Sequence, residues 1–309
     1  MPTHPFTGVL PAVTTPFLES GAIDHQALAR QVRILLEHDC SGIVACGSLG
    51  EGATLSRDER DAVIGSCFAA ARGRPVIAGI GAASTSDAVA YALGAQRLGC
   101  AGVMVLPPYI YTGDGREIAA HVGAVCAATS LPCMLYNNPA AYRTDITPSR
   151  IAELARAHAN LCAVKESSGD VRRITALLAQ QQGVPASRLA VGVGIDDLVV
   201  EGIAAGASFW VSGLADALPH ESVQLFRLAQ QGRADALVLL RWLLPLLRFD
   251  AEVKFVQYIK LMQERCGIGP ALVRPPRLPL TEGERHSALT TLESVLANRP
   301  AWTPAGSSP

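Results

Sequence analysis

Residues 132–166 read "PCMLYNNPAAYRTDITPSRIAELARAHANLCAVKE". An apolar run of strand length, "PCMLYNN", is followed by a stretch of helix length, "SRIAELARAH", and then by a second apolar run, "LCAVKE". The two runs are near-continuously apolar rather than alternating, which is the pattern of strands covered on both faces in a parallel sheet. Parallel neighbours need a crossover, usually a helix, so this stretch reads as one strand–helix–strand unit.

The unit repeats in both directions. "GVLPAVTTPF", "GIVACG", "PVIAGIG" and "GVMVLPP" precede it, and "LAVGVG" and "SFWVSG" follow, giving eight strand candidates. Helical stretches separate them. One starts near Asp24 and carries Leu28, Val32, Leu35 and Leu36 on one face; another carries Val63, Ile64, Cys67 and Phe68; a third is "DVRRITALLAQ". Eight such units within about 230 residues predict a (β/α)8 TIM barrel. A doubly wound open sheet is the rival, because periodicity does not show closure. Residues 1–230 form the predicted barrel and 231–309 a C-terminal three-helix extension packed on it. "ADALVLLRWLLPLL", "AEVKFVQYIKLMQERCG" and "EGERHSALTTLESVLA" supply the three helices. Gly267, Gly269, Pro270, Pro275, Pro276 and Pro279 mark a loop between the last two. The tail "PAWTPAGSSP" is expected to fray.

Composition narrows the class. The chain has 309 residues, 49% hydrophobic and 17% charged, with a net charge of −1. That balance is globular and offers no electrostatic footprint for nucleic acid or an anionic membrane. The start, "MPTHPFTGVLPAV", lacks a basic region followed by a long apolar stretch, so no signal peptide is expected. The apolar runs are too short or too interrupted to span a bilayer. Eight scattered cysteines form no Cys-x-x-Cys pair, and several lie inside apolar segments as small buried hydrophobes. A reducing cytoplasmic location is expected. The seven histidines show no i, i+4 pair, so a zinc site has no support.

Within a barrel, polar residues just after each strand gather at the C-terminal face, where barrel chemistry sits. Lys165 ends the sixth apolar run. Of 26 basic residues only three are lysine, Lys165, Lys254 and Lys260, so an arginine-preferring chain keeps an amine here. A structural reading has Lys165 reaching for solvent or pairing with Glu166 or Asp170. The chemical reading is favoured: at an apolar strand end a lysine loses solvation and its pKa falls. A neutral amine attacks a carbonyl or imine carbon and forms a Schiff base, which a guanidinium does not. Tyr136, ending the fifth run, is either an amphipathic terminus or the phenol that moves protons during that chemistry.

"GSLGEG" (47–52) lacks the Gly-Lys-Ser/Thr ending of a phosphate loop. It reads either as a turn needing positive φ or as a cradle of N–H groups, with the Ser48 hydroxyl, for a substrate carboxylate. "GIGAAS" (79–84) is taken as a turn. "GVGIDDLV" is expected to open a helix with Asp196 or Asp197 near its cap.

"GSLGE", "LPPY", "YNNP", "VKESSGD" and "GIDD", in this order and spacing, resemble the dihydrodipicolinate synthase / N-acetylneuraminate lyase family over about residues 6–298. The resemblance implies a (β/α)8 barrel with a C-terminal helical extension, assembled as a homotetramer or dimer of dimers. It also implies class I chemistry: a lysine Schiff base with a 2-keto acid or cyclic imine carboxylate, and no metal or organic cofactor. On this resemblance Lys165 matches the Schiff-base lysine and Tyr136 the proton-shuttling tyrosine. Gly47 and Ser48 match the loop that binds the carboxylate beside the reacting carbon. Tyr109 matches a tyrosine that, in the synthases, reaches a neighbouring subunit's site. Gly194 and Trp210 match positions lining the pocket.

Two departures bear on substrate. The synthases carry two threonines in the second-strand loop, where this chain has Ser48 and Leu49. They carry an arginine five residues after the fifth-strand tyrosine, where this chain has Ala141, with Arg143 close by. "YNNPAAYRTDITP", "VGIDDLVVEG", "WVSGL" and "KFVQYIKL" look most like the branch that deaminates 1-pyrroline-4-hydroxy-2-carboxylate in hydroxyproline breakdown. The implied products are 2-oxoglutarate semialdehyde (2,5-dioxopentanoate) and ammonia. Asn137, Asn138 and Tyr142 are polar candidates for handling the 4-hydroxyl and the ring nitrogen. The nearest alternative is another class I enzyme acting on a 2-keto acid, a 2-keto-3-deoxy sugar acid aldolase or dehydratase or a synthase. A sensor that keeps the pocket without chemistry is disfavoured by the presence of both Lys165 and Tyr136.

Overall fold

Strands β1 (Gly8–Pro11), β2 (Ile43–Ala45), β3 (Val76–Ile80), β4 (Gly102–Val105), β5 (Cys133–Asn137), β6 (Leu161–Glu166), β7 (Ala190–Val193) and β8 (Phe209–Ser212) run parallel in one sheet of order β1-β8-β7-β6-β5-β4-β3-β2. The computed structural model describes residues 4–181 and 189–301. Most of the tail expected to fray, from residue 302 on, lies outside the described residues. A bridge between Ala12 and Val44 joins the two ends of the sheet, with the Val13 N–H donating to the Val44 carbonyl at 3.0 Å. The sheet therefore curls into the (β/α)8 barrel rather than the open doubly wound form.

Closure explains the unbroken apolar runs. One face of each strand fills the barrel and the other meets the surrounding helices, so β2, β3, β4 and β8 are buried along their whole length. Gly192 on β7 makes room for Phe209 on β8, its register partner; a Cβ there would overlap the ring. Burying a phenylalanine stabilises the fold by about 1.5–3 kcal/mol.

The helices start where the sequence offers caps. Asp24 accepts from the Ala27 N–H at 2.9 Å at the head of helix His25–Glu37. Ser56 and Glu59 make a reciprocal capping box for helix Arg57–Ala71. Leu28, Val32 and Leu35 are buried, Leu36 partly so. Phe68 differs from expectation, being 49% exposed: it sits at the edge of the apolar stripe and covers Gly99 instead of entering the core.

After the barrel come helices Asp235–Leu247, Phe255–Arg265 and Glu282–Ala297. Lys260 anchors this extension to the C-terminal face of the barrel. Its fully buried Nζ donates to Glu51 Oε1 at 2.6 Å, the Thr15 carbonyl at 2.8 Å and the Leu272 carbonyl at 2.7 Å. Three donors meet three acceptors, which accounts for an ammonium at this position. Glu51 Oε2 in turn accepts from the Arg274 N–H at 3.1 Å, and the Arg274 guanidinium binds Glu59. The loop after β2 and the segment around residues 272–277 are thus stitched together beside the barrel mouth.

Candidate active site

A cavity of about 450 Å³ opens at the C-terminal ends of the strands. Lys165 and Tyr136 face it, as do Gly47, Ser48, Asn138 and Gly194. The extension supplies Asp250, Glu252 and Arg277 to the same wall.

Lys165 is paired in register with Tyr136 on one side and Gly192 on the other. It is 6% exposed, and its Nζ lies 4.2 Å from the centroid of the Tyr136 ring. Gly194, just past β7, gives the chain room: a Cβ there would stand 2.5 Å from Lys165 Cε and 2.6 Å from Cγ. Burial lowers the lysine's pKa, opposed by the charges of Asp250 and Asp196. The pairings considered from sequence do not form. Glu166 accepts from Asn137 Nδ2 and the Ser168 N–H, while Asp170 binds Arg172.

The motif "YNNPAAY" builds the next wall. Asn138 caps the short helix Pro139–Tyr142 by accepting from the Ala141 N–H at 3.0 Å, with Pro139 in the first turn. Its Nδ2 donates to the Tyr136 phenol oxygen at 2.9 Å. That leaves the Tyr136 O–H free to donate to another group. Burial pushes the Tyr136 phenol up to about 12, against the pull of hydrogen bonds headed by Asn138. The short helix delivers Tyr142 to the cavity, where its hydroxyl is in close contact with Ser48 Oγ. Burial raises the Tyr142 phenol as well. Asn137 faces away from the cavity: it donates to Glu166 and accepts from the Ile146 N–H at 3.0 Å.

In the loop after β2 the glycines serve close approach rather than positive φ. A Cβ on Gly50 would lie 2.8 Å from the Val13 carbonyl, while the residues with positive φ are Cys46 and Glu51. Gly47 and Ser48 both line the cavity, and so does Leu49.

Two further residues stand off the wall. The Tyr109 ring packs 5.9 Å from that of Tyr142, behind the cavity lining. Trp210 is fully buried and donates Nε1 to Asp196 Oδ1 at 2.9 Å. A helix opens here as expected, the turn Asp196–Leu198 leading into Val199–Ala204 with Asp196 and Asp197 in the first turn, but the Asp196 carboxylate does not cap it. It accepts from Trp210, from the Gly213 N–H at 3.1 Å and from the Leu214 N–H at 2.6 Å, tying β7 to the end of β8. These donors on both oxygens suit a carboxylate. Ala141 lines the cavity and Arg143 is exposed beyond it.

Sequence reasoning did not find Asp250 or Arg277. Asp250 lies in the short turn Arg248–Ala251 between two extension helices, far along the chain from Lys165. No periodicity links a residue there to a barrel strand. The one sequence signal beside it is the stretch "KFVQYIKL" (254–261), which carries a family resemblance and no pattern that points to Asp250. Among the described residues no helix is long and apolar enough to cross a membrane, and no cluster of three or more His, Cys, Asp or Glu forms a metal site.

The sequence profile of the dihydrodipicolinate synthetase family matches residues 5–295. The 4-hydroxy-tetrahydrodipicolinate synthase of Methanosphaerula palustris is 31% identical over 297 residues, and that of Bacillus subtilis is 30% identical over 292 residues. Each alignment covers 94% of this chain and 99% of the relative. The crystal structure of a prophage protein of the dihydrodipicolinic acid synthase family from E. coli K12, in complex with pyruvate, matches with a TM-score of 0.88 at 27% identity. That match covers 94% of this chain and 99% of the other.

Proposed function

This chain belongs to the dihydrodipicolinate synthetase family, and from that premise we propose that it is a Schiff-base-forming deaminase and dehydratase. Its substrate is 1-pyrroline-4-hydroxy-2-carboxylate, an intermediate of hydroxyproline breakdown. Its products are 2-oxoglutarate semialdehyde and ammonia. The reading is supported by the lining of the cavity: Leu49 and Ala141 stand where the synthase pattern has a threonine and an arginine. A synthase relay through Tyr109 lacks its hydroxyl, and a second carboxylate lacks the guanidinium at that place.

The substrate carboxylate sits on the Gly47–Ser48 loop. Neutral Lys165 attacks C2 of the cyclic imine, and the ring nitrogen departs from C2 as an amine, with Tyr136 carrying the proton it gains. The iminium left on Lys165 acidifies C3–H. Loss of that proton and of the 4-hydroxyl expels water and leaves a C3–C4 double bond. Tautomerisation moves unsaturation to an imine at C5. One water hydrolyses that imine and releases ammonia; a second frees the 2-keto acid from Lys165. One water leaves and two enter, so the net reaction consumes one water. No cofactor is required. The assembly carried forward is a homotetramer or dimer of dimers, read by sedimentation.

The alternative, another class I enzyme on a 2-keto acid, is favoured by the names of the relatives. One substrate panel separates the two. Ammonia from hydroxypyrroline carboxylate, with borohydride reduction fixing the substrate's carbon skeleton to Lys165 by mass, supports the proposal. Retro-aldol release of pyruvate from a sugar acid, or condensation of pyruvate with aspartate semialdehyde, overturns it.

A further inference from the structure

The deaminase scheme leaves the C3 proton without a named acceptor, and the wall built by the C-terminal extension holds a candidate. We propose that Asp250 is the base that takes the C3 proton from the Lys165 iminium and returns it to the departing 4-hydroxyl. The proposal rests on the Schiff-base reading of Lys165.

Position singles out Asp250 among the groups on the cavity. Tyr136 accepts from Asn138 and is a phenol, not a phenolate, near neutral pH. Tyr142 and Ser48 are engaged with each other. Glu252 is exposed at the outer rim. Asp250 is part-buried on the wall shared with Lys165, and its charge acts on both Lys165 and Tyr136. Its carboxyl lies against the backbone at the end of β8: a Cβ on Gly213 would stand 2.6 Å from Asp250 Oδ1. The Asp196 backbone N–H lies on its side and favours its charged form. The turn that carries it is held in place. Phe249 stacks on Tyr258 at 4.6 Å, and Arg248 lies 3.9 Å from Asp197.

The strand order gives the substrate its orientation. The carboxylate is held from β2 and C2 is bonded to Lys165 from β6. C3 then passes either the β5 wall of Tyr136 and Asn138 or the β7–β8 wall of Gly194, Gly213 and Asp250. Only the second offers a carboxylate.

The electrons balance. Asp250 takes the C3 proton, the C3–H pair becomes C2=C3, and the iminium pair returns to the Lys165 nitrogen. In the next step the nitrogen pair re-forms C2=N, and C2=C3 moves to C3=C4. The C4–O bond breaks, and the Asp250 proton completes the water. Burial lifts the Asp250 carboxyl to about 6, with Lys165 pulling it down and Asp197 pushing it up. Asp196, Tyr136, Glu252 and Arg277 are the other titratable or charged groups around this end of the cavity.

The test uses pyruvate, whose methyl protons on the Schiff base are chemically equivalent to C3–H. Wild-type protein in deuterium oxide should exchange those protons by NMR, with a rate that falls as pH drops below about 6. Asp250→Asn should slow exchange by about 100-fold or more and remove that acid limb. Its borohydride-trapped pyruvate adduct should persist within about threefold. Asp250→Glu should recover part of the exchange. Adduct and exchange both unchanged in Asp250→Asn would overturn the role of Asp250 and leave the Schiff-base reading intact. No adduct in the wild type would overturn both.

Discussion

Lys165 and Tyr136 occupy paired register positions on β6 and β5, and the amine lies 4.2 Å from the centre of the phenol ring. The pairing follows from the fold: adjacent parallel strands in a closed barrel end at the same face, so their terminal side chains meet. An amine held over an aromatic face in a buried site is poorly solvated as a cation, and the cavity beyond it has room for a small acid.

Replacing Lys165 by alanine should abolish the borohydride-trapped adduct and turnover, with the far-ultraviolet circular dichroism unchanged. Lys165→Arg should be equally inactive, because a guanidinium keeps its charge. The wild-type adduct should form faster as pH rises through the lysine's pKa, which lies below the ordinary 10.5. The same shift predicts a stability effect. The native state binds fewer protons at this site than the unfolded chain, so stability from Lys165 rises with pH between the lowered and the ordinary value. Wild-type turnover in Lys165→Ala would remove this residue from the mechanism.

Tyr136→Phe keeps the ring under the amine and removes the hydroxyl. Turnover should fall by about 10²–10⁴-fold, the usual worth of a positioned acid–base group, while some adduct still forms. Asn138→Ala should show a smaller loss in the same direction, since the amide holds the phenol oxygen at 2.9 Å. An unaltered rate in Tyr136→Phe would reject proton transfer through this group.

Gly194→Ala tests the geometry without touching the chemistry. The added methyl would stand 2.5 Å from Lys165 Cε and crowd Ser167 Oγ as well. The lysine must swing away, so adduct formation should drop by at least about tenfold while the barrel stays folded. Normal trapping kinetics in this variant would show that the side chain has another route into the cavity.

Much of this was legible in the chain before its fold was known. Each apolar run from "GVLP" to "FWVS" became a strand because a parallel barrel buries both faces, and the residue ending each run was delivered to one mouth. Lys165, Tyr136, Ser48 and Asn138 were readable for that reason. The helix start at Asp196 was legible, but the work of its carboxylate was not, because its partners, Trp210 and the N–H groups of Gly213 and Leu214, come from the following strand and loop. Asp250 and Arg277 escaped for a related reason. Their approach to Lys165 depends on how the extension docks, and that is set by tertiary contacts such as Lys260 with Glu51 rather than by any local pattern.

That ion pair supplies the last prediction. Lys260 and Glu51 are buried with no side-chain exposure, 2.6 Å apart, and the amine fills its remaining valences with two carbonyls. Lys260→Met removes the nearer cation and leaves the buried Glu51 with only the Arg277 guanidinium at 3.7 Å, which should cost about 3–5 kcal/mol in urea unfolding. Adding Glu51→Gln removes the stranded charge, so the double variant should be more stable than Lys260→Met alone. Because the pair fixes the extension that carries Asp250 and Arg277, Lys260→Met assayed below its unfolding transition should also lose proton exchange on bound pyruvate more than adduct formation. A cost under about 1 kcal/mol, typical of a solvated pair, would mean that water reaches Glu51 and that the extension is held chiefly by its apolar helices.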